Sequence, residues 1–176
     1  MNKSLLLVAF SCLFIVSWGC DRNMGKREPP KETRVVESNN VLPPDTAVPG
    51  GYDQAEMDAA IARARREVDN FIAVLERRQG SDFDVKVPIT DKGKTEHFWV
   101  TDVTYQNGVF AGTIGNDPAV VTNVRYGQPW RATKAEISDW CFMRDGKMHG
   151  NYTMRPLLKT LSKEQADEFR AILADP

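Results

Sequence analysis

The sequence contains few of the residues that build disulfide scaffolds and metal sites. Its 176 residues include three cysteines and two histidines. Three cysteines are too few for a disulfide-rich framework, and two histidines leave little with which to bind zinc. Positive and negative charges are balanced to a formal net charge of -1, so the whole chain has no basic field that would hold nucleic acid.

Common catalytic and nucleotide-binding motifs are also missing. The chain has no G-x-G-x-x-G, no Walker loop, no G-x-S-x-G and no H-E-x-x-H. These absences argue against the familiar nucleotide-dependent and hydrolytic enzymes, and we expect no cofactor. The composition itself, with 41% hydrophobic and 27% charged residues, is typical of a folded domain.

The first twenty residues are typical of an export signal. A positive residue near the start precedes an apolar run over residues 5–16, which has the length of a signal-peptide core and is too short to span a bilayer comfortably. Gly19 and Cys20 resemble the end of a bacterial lipobox, although Ser17 and Trp18 depart from its usual pattern. We predict a lipid on Cys20 and a membrane-anchored lipoprotein of the bacterial cell envelope, facing the periplasm or the exterior. A cleaved secretory signal and a retained membrane anchor are the alternatives.

A proline-rich segment follows the signal. Residues 21–52 contain five prolines, scattered charges and little apolar periodicity. Such a segment buries too little surface to offset the entropy lost on ordering it. We interpret it as a flexible tether that leads to a single domain over residues 53–176.

The pattern of apolar residues predicts an α+β domain. A stripe at spacings of three and four residues predicts a long helix over residues 53–79, capped by Asp53. Beyond it the period shortens to two, which predicts five or six short strands. Tight turns such as the one at residues 107–108 make the sheet antiparallel. Ser162 begins a short C-terminal helix with a capping box, and we expect both helices to pack on one face of the sheet.

The strand candidates share alternating apolar positions and short intervening turns. They are residues 83–89, 96–105, 109–114, 125–132, 136–143 and 147–154. Pro88 lies in the first candidate. Because proline cannot donate a hydrogen bond to a strand ladder, we expect this segment to be an edge strand or to end there.

Several short motifs in the strand region occur together in a known bacterial family. They are Phe98-Trp99-Val100, Gly115-Asn116-Asp117-Pro118, Tyr126-Gly127, Ile137-Ser138-Asp139-Trp140 and Gly150-Asn151-Tyr152-Thr153-Met154-Arg155. This set resembles the YegJ-type domain, a bacterial family of unknown function, over residues 53–175. The resemblance implies an α+β domain that is often part of exported or membrane-anchored proteins. It implies no activity, substrate or catalytic residue.

Asp139 is the strongest candidate for chemistry. In an alternating strand it shares a face with Ile137 and Cys141, so its carboxylate would lie in apolar surroundings. Arg131 or Arg155 could compensate its charge. A raised pKa would suit a general acid or base, whereas a structural ion pair or turn acceptor is the plainer interpretation.

Cys141 with a histidine is the other candidate pair. Because Cys141 follows Trp140 in an apolar strand, an inert buried thiol is a plainer interpretation than a nucleophile beside His97 or His149. A metal site built from Asp139, Cys141 and the histidines matches no known ligand spacing. We therefore expect neither a metal site nor a catalytic centre.

Aromatic residues are numerous for one small sheet. Because helices on one face cannot bury both sides of the segment 98–99, we expect some aromatic side chains on an open face, where proteins bind partners or ligands. The candidate binding surface consists of Trp99, Asp139, Trp140, Tyr152 and Arg155.

The sequence thus favours a membrane-tethered lipoprotein whose domain binds an envelope protein or another envelope component without catalysis. A compact immunity-like protein that neutralises a toxin would be one variant. The alternative is an envelope hydrolase that uses Asp139 with a histidine.

Overall fold

The structure of the chain is a computed structural model that describes residues 51–175. The predicted signal peptide, the predicted lipid site at Cys20 and all but the last two residues of the predicted tether lie outside the described residues. Within the described range, no helix is both long enough and apolar enough to cross a membrane.

A long helix opens the domain and is capped as the sequence predicts. α1 spans Gln54–Glu76. The Asp53 carboxylate accepts hydrogen bonds from the backbone N–H groups of Ala55 and Glu56, which satisfies two of the donors that a helix start leaves unpaired. The buried face of α1 consists of Ala64, Val68, Phe71 and Ile72.

Six strands follow and form one antiparallel sheet, which confirms the predicted fold class. Their bounds are β1 Ser81–Asp91, β2 Lys94–Gln106, β3 Val109–Ile114, β4 Pro129–Thr133, β5 Asp139–Arg144 and β6 Lys147–Gly150. The order across the sheet is β4-β3-β2-β1-β5-β6. Two-residue turns with positive φ close three hairpins, at residues 92–93, 107–108 and 145–146.

β1 is a central strand, although it contains Pro88. It pairs with β2 as far as Asp91 but with β5 only as far as Lys86. The Lys86 carbonyl accepts from the Ser138 N–H, so the backbone groups of Lys86 point toward the β5 side of the strand. Pro88 lies two residues further on, and its nitrogen points to the same side because these directions alternate along a strand. That side has no partner strand at Pro88. The edge expectation is therefore wrong for β1 as a whole, and the proline stands where no ladder donor is needed.

Two short helices end the described chain. α2 spans Met154–Leu157 and α3 spans Lys163–Ile172. The capping box at Ser162 is confirmed, since its side chain accepts from the Gln165 N–H while the Gln165 side chain accepts from the Ser162 N–H. α2 is absent from the sequence predictions, because the last strand candidate ran to residue 154 whereas β6 ends at Gly150.

The helices cover both faces of the sheet, which differs from the expected one-sided arrangement. Trp140 and Phe142 of β5 pack in the cluster that contains Phe71 of α1. Cys141, which points the other way, packs in a second cluster with Ala166 of α3. The physical reason is that the strands carry large apolar side chains on both faces, and each face needs its own cover.

One carboxylate holds the long loop between β3 and β4. Glu96 is buried, and its two oxygens accept hydrogen bonds from the backbone N–H groups of residues 119, 120 and 121. Asp91 adds a second anchor by accepting from the N–H and the hydroxyl of Thr122. Hydrogen bonds to ionised groups are stronger than neutral ones, so this loop has a defined shape although it contains no regular structure.

Candidate functional site

Asp139 joins the start of β5 to the segment that follows β6. The side chain is fully buried. One carboxylate oxygen accepts from the Trp140 N–H, and the other accepts from both the N–H and the hydroxyl of Thr153, each at 2.7 Å. Burial raises the pKa of this carboxyl, and the hydrogen bonds from Thr153 oppose the rise. The geometry is that of a structural acceptor.

Neither arginine that the sequence suggested as a partner of Asp139 is one. Arg131 lies on β4, which is separated from β5 by three strands. Arg155 donates to the Ala174 carbonyl instead. The positive charge that acts on Asp139 is that of Lys86, which lies opposite it in the β1–β5 ladder. The ion-pair prediction is corrected accordingly: backbone and hydroxyl donors satisfy this carboxylate.

A sharp turn at residues 150 and 151 brings Thr153 to Asp139. Both residues have positive φ, 77° for Gly150 and 46° for Asn151. A Cβ atom on Gly150 would lie 2.3 Å from the Trp140 carbonyl oxygen, so only glycine fits there. The turn also places Tyr152 against α1.

The cysteine and the histidines do not form the catalytic pair considered from the sequence. Cys141 is buried, and burial raises the pKa of its thiol well above the usual value. His149 stacks on Phe142 with ring centres 4.9 Å apart, on the opposite face of the sheet from Cys141. The Nδ1 atom of His97 lies 2.9 Å from the Ser138 hydroxyl. Within residues 51–175, no group of three or more acidic, histidine or cysteine side chains could hold a metal ion.

The predicted binding residues do not form an open surface. Trp99, Asp139, Trp140 and Tyr152 are all buried, and Tyr152, the most exposed of the four, is only 6% exposed. Because helices cover both faces of the sheet, the three aromatic members of this candidate surface, Trp99, Trp140 and Tyr152, lie in the interior. Trp140, Tyr152 and Arg155 nevertheless meet at one cavity.

This cavity, which we call the α1–β6 cavity, lies between α1 and the β5–β6 hairpin and has a volume of about 170 Å³. Its apolar and aromatic lining consists of Phe71, Val74, Trp140, Phe142 and Tyr152. Its polar and charged lining consists of Asn70, Arg144, His149, Arg155 and Asp175, with Gly150 completing the wall.

Arg155 carries an unused hydrogen-bond donor. Its Nη2 atom donates to the Ala174 carbonyl at 3.1 Å, whereas its Nε atom is buried without a hydrogen-bond partner. Within the described residues no other buried side-chain nitrogen or oxygen lacks a hydrogen-bond partner. A buried unpaired donor lowers the stability of the folded state, and the side chain that carries it belongs to the lining of the cavity.

The other polar groups give the cavity a basic rim. The Arg144 guanidinium lies 5.4 Å from the centre of the Phe142 ring. Burial and the charge of Arg144 lower the pKa of His149 from its usual value of 6.5, so this imidazole is neutral at pH 7. The lining thus holds the positive charges of Arg144 and Arg155 against the single negative charge of Asp175.

A hydrogen-bonded cluster fixes the Tyr152 wall of the cavity. The Tyr152 hydroxyl donates to Glu67, which also accepts from Arg63, and the Arg63 guanidinium lies 4.6 Å from the centre of the Tyr152 ring. Burial, together with the Glu67 carboxylate, raises the pKa of Tyr152 to about 12. Glu67 and Arg63 carry no signal in the sequence that marks them as site residues, because charged residues on a surface helix look like an ordinary solvated face.

Comparison with known proteins identifies the family. A family profile described as "Uncharacterized protein conserved in bacteria (DUF2314)" matches residues 54–174. The chain belongs to this bacterial family. Together with a 57% identical relative named YegJ, this match confirms the predicted resemblance to the YegJ-type domain.

Two similar proteins differ in how much of their length the match covers. "Uncharacterized protein YegJ" of Escherichia coli (strain K12) is 57% identical over 129 residues, which cover 73% of this chain and 84% of that protein. A protein named "Putative ankyrin repeat protein" from Neisseria meningitidis serogroup B is 30% identical over 125 residues, covering 65% of this chain and 49% of that protein. The matched segment thus covers about half of the length of that protein. No solved structure matches the chain.

Asp84, on β1, is a further buried carboxyl, besides Asp139 and Glu96. Its Oδ1 atom accepts from the Asp102 N–H at 3.3 Å. Burial raises the pKa of Asp84 to about 7, with the nearby charges of Asp102 and Asp82 acting in the same direction.

We predict that replacing Asp139 lowers stability rather than removing a chemical function. In Asp139→Asn an amide NH₂ group must face the donors of Trp140 or Thr153, so we expect the free energy of unfolding to fall by about 2 to 4 kcal/mol. Urea titration measures the change, and Thr153→Val, which removes only the hydroxyl donor, should lower the stability less. An Asp139→Asn variant as stable as the unsubstituted protein would contradict the structural role.

We predict that the folded domain loses stability as the pH rises, because the Asp84 carboxyl must give up its proton. Its pKa increases from a usual 3.8 to about 7 on folding, so the folded state binds the proton more tightly. The protonated form therefore gives full stability below about pH 4, and stability falls as the pH rises through 7. The loss is at most about 4 kcal/mol. Asp84→Asn should remove this fall when urea unfolding is compared at pH 5 and pH 8.

The control for Asp84→Asn is Asp117→Asn, which replaces an exposed carboxyl. It should keep the pH dependence of the unsubstituted protein. Identical pH profiles for the unsubstituted protein and Asp84→Asn would refute the assignment to Asp84.

Proposed function

We propose that the domain is a non-catalytic binding module whose ligand occupies the α1–β6 cavity, on a chain that a lipid on Cys20 tethers to the bacterial envelope. The single observation that carries the binding role is a cavity with aromatic walls whose lining includes Arg155, a side chain with an unpaired buried donor. A ligand acceptor can bind this guanidinium, and it would satisfy the Nε–H group if the side chain turned toward the cavity.

The size and the lining of the cavity support a small ligand. Its volume of about 170 Å³ is close to the roughly 150 Å³ of an engineered apolar cavity that binds benzene. Binding sites for small molecules combine apolar walls with a few polar groups that fix orientation, and the rings of Phe71, Trp140 and Phe142 together with Arg155 provide this combination.

The surroundings of Asp139 support binding over hydrolysis. Both of its oxygens accept hydrogen bonds from within the domain, and none of its surface is exposed. A general acid or base must come within hydrogen-bond reach of its substrate. A hydrolase that uses this carboxylate would therefore need the link to Thr153 to open first.

An envelope protein partner would have a separate surface available. Tyr126 is 63% exposed and Val120 is 38% exposed, and both belong to the loop that Glu96 holds in place. A rigid loop that displays an aromatic side chain suits protein contact, because little conformational entropy is lost on binding.

We expect the tether to depend on Cys20. In cells labelled with palmitate, the unsubstituted protein should be labelled and found in the membrane fraction, and Cys20→Ala should lose both properties. Cys12→Ala is the matched control, because it removes a cysteine from the same leader, and it should keep both. An unlabelled, soluble unsubstituted protein would contradict the lipoprotein proposal.

We expect a bulky side chain at the cavity wall to block binding. Asn70 is exposed on α1 and lines the cavity, so Asn70→Trp should fill space there with little effect on the core. Saturation-transfer NMR with a set of small aromatic acids, amides and alcohols should detect binders to the unsubstituted protein that Asn70→Trp no longer binds.

The control is Ala62→Trp, which adds the same side chain at another exposed position of α1 outside the cavity lining. It should retain the binders. If no compound binds, or if Asn70→Trp and Ala62→Trp bind equally well, the cavity is not the binding site.

A further inference from the structure

We infer that the ligand of the α1–β6 cavity is a small organic monocarboxylate with an apolar or aromatic body, held at its carboxylate by Arg155. This inference rests on the proposed function and adds the chemical class of the ligand. Its basis is that the Arg155 side chain and the aromatic walls line the same cavity.

The charges that line the cavity favour a single negative charge on the ligand. Arg144 and Arg155 contribute two positive charges and Asp175 contributes one negative charge, while His149 is neutral at pH 7. A monoanion brings this group of charges to neutrality. A dianion would leave an uncompensated negative charge against hydrophobic walls, which is strongly unfavourable.

Arg155 is oriented before any ligand arrives. The bond from its Nη2 atom to the Ala174 carbonyl fixes one side of the guanidinium plane, and its position 5.7 Å from the centre of the Tyr152 ring adds a cation–π contact. The Nε–H group remains unpaired. Guanidinium donors match the geometry of a carboxylate, and the hydrogen bond is charge-assisted.

The aromatic lining favours a carboxylate with an apolar body over inorganic phosphate. Phe71, Trp140 and Phe142 provide ring surface to which an apolar body can bind, with ring centres of Phe71 and Trp140 only 5.2 Å apart. A phosphate ion would bury its oxygens against these rings and leave most of them without donors. The same walls suit an aromatic or branched aliphatic acid.

The experiment uses fluorine NMR on the purified full chain in detergent micelles. The probes are 4-fluorobenzoate and its neutral counterpart 4-fluorobenzamide, and inorganic phosphate is the competitor. We expect 4-fluorobenzoate to bind at least about tenfold more tightly than the amide, which is the ratio typical of a lost charge-assisted hydrogen bond. Phosphate at equal concentration should not displace it.

The variants separate the carboxylate contact from the cavity itself. Arg155→Gln should weaken the binding of 4-fluorobenzoate about tenfold or more and leave the binding of 4-fluorobenzamide nearly unchanged. Because Arg155 also binds the Ala174 carbonyl, Arg144→Gln, which alters an exposed rim residue, provides a second test and should weaken the acid selectively. Arg125→Gln, an exposed arginine outside the cavity lining, should change neither.

The outcomes distinguish the two proposals. If the amide binds as tightly as the acid and Asn70→Trp blocks both, the cavity is a binding site but the carboxylate inference is wrong. If phosphate displaces the acid, the site selects anions in general and the inference is also wrong. If neither fluorinated probe binds, or if Asn70→Trp leaves their binding unchanged, the inference fails together with the cavity as the ligand site.

Discussion

Three hydrogen bonds to the Asp139 carboxylate hold together the parts of the domain on which the cavity depends. Two of them connect Asp139, at the start of β5, to Thr153, and the third comes from the neighbouring Trp140 N–H. Thr153 lies between Tyr152, which forms one wall, and Arg155, which carries the unpaired donor. α1 is attached to the same place, since the Trp140 indole N–H donates to the Ala64 carbonyl. Elements distant in sequence therefore converge around one buried acid.

Local signals made much of the fold predictable from the sequence. The cap at Asp53, the capping box at Ser162 and the turn at residues 107–108 each act within a few residues, and each appears where it was predicted. The burial of Asp139 was also predictable, because its neighbours at alternate positions are apolar. In each case the pattern that predicts the feature and the interactions that create it involve the same short stretch of chain.

The features that sequence could not predict depend on distant contacts. The partner of Asp139 is fourteen residues away and is a backbone and hydroxyl donor, whereas charge arguments pointed to arginines. The position of α3 on the second face depends on side chains from several strands. The cavity itself combines α1, the β5–β6 hairpin and Asp175 near the end of the chain, and no single segment carries a signal for it.

The two edge strands of the sheet, β4 and β6, offer few free backbone groups to another copy of the chain. At β6, Leu173 forms a parallel bridge with Met148, and the Ala174 N–H donates to the Met148 carbonyl. At β4, Pro129 has no N–H to offer and the Thr133 N–H is occupied by Glu136. Few backbone groups are thus left to pair with a strand of another molecule. Under the proposed lipid anchor, copies of the chain would meet in the plane of a membrane far more often than in solution, and protected edges of this kind would allow dense coverage without aggregation.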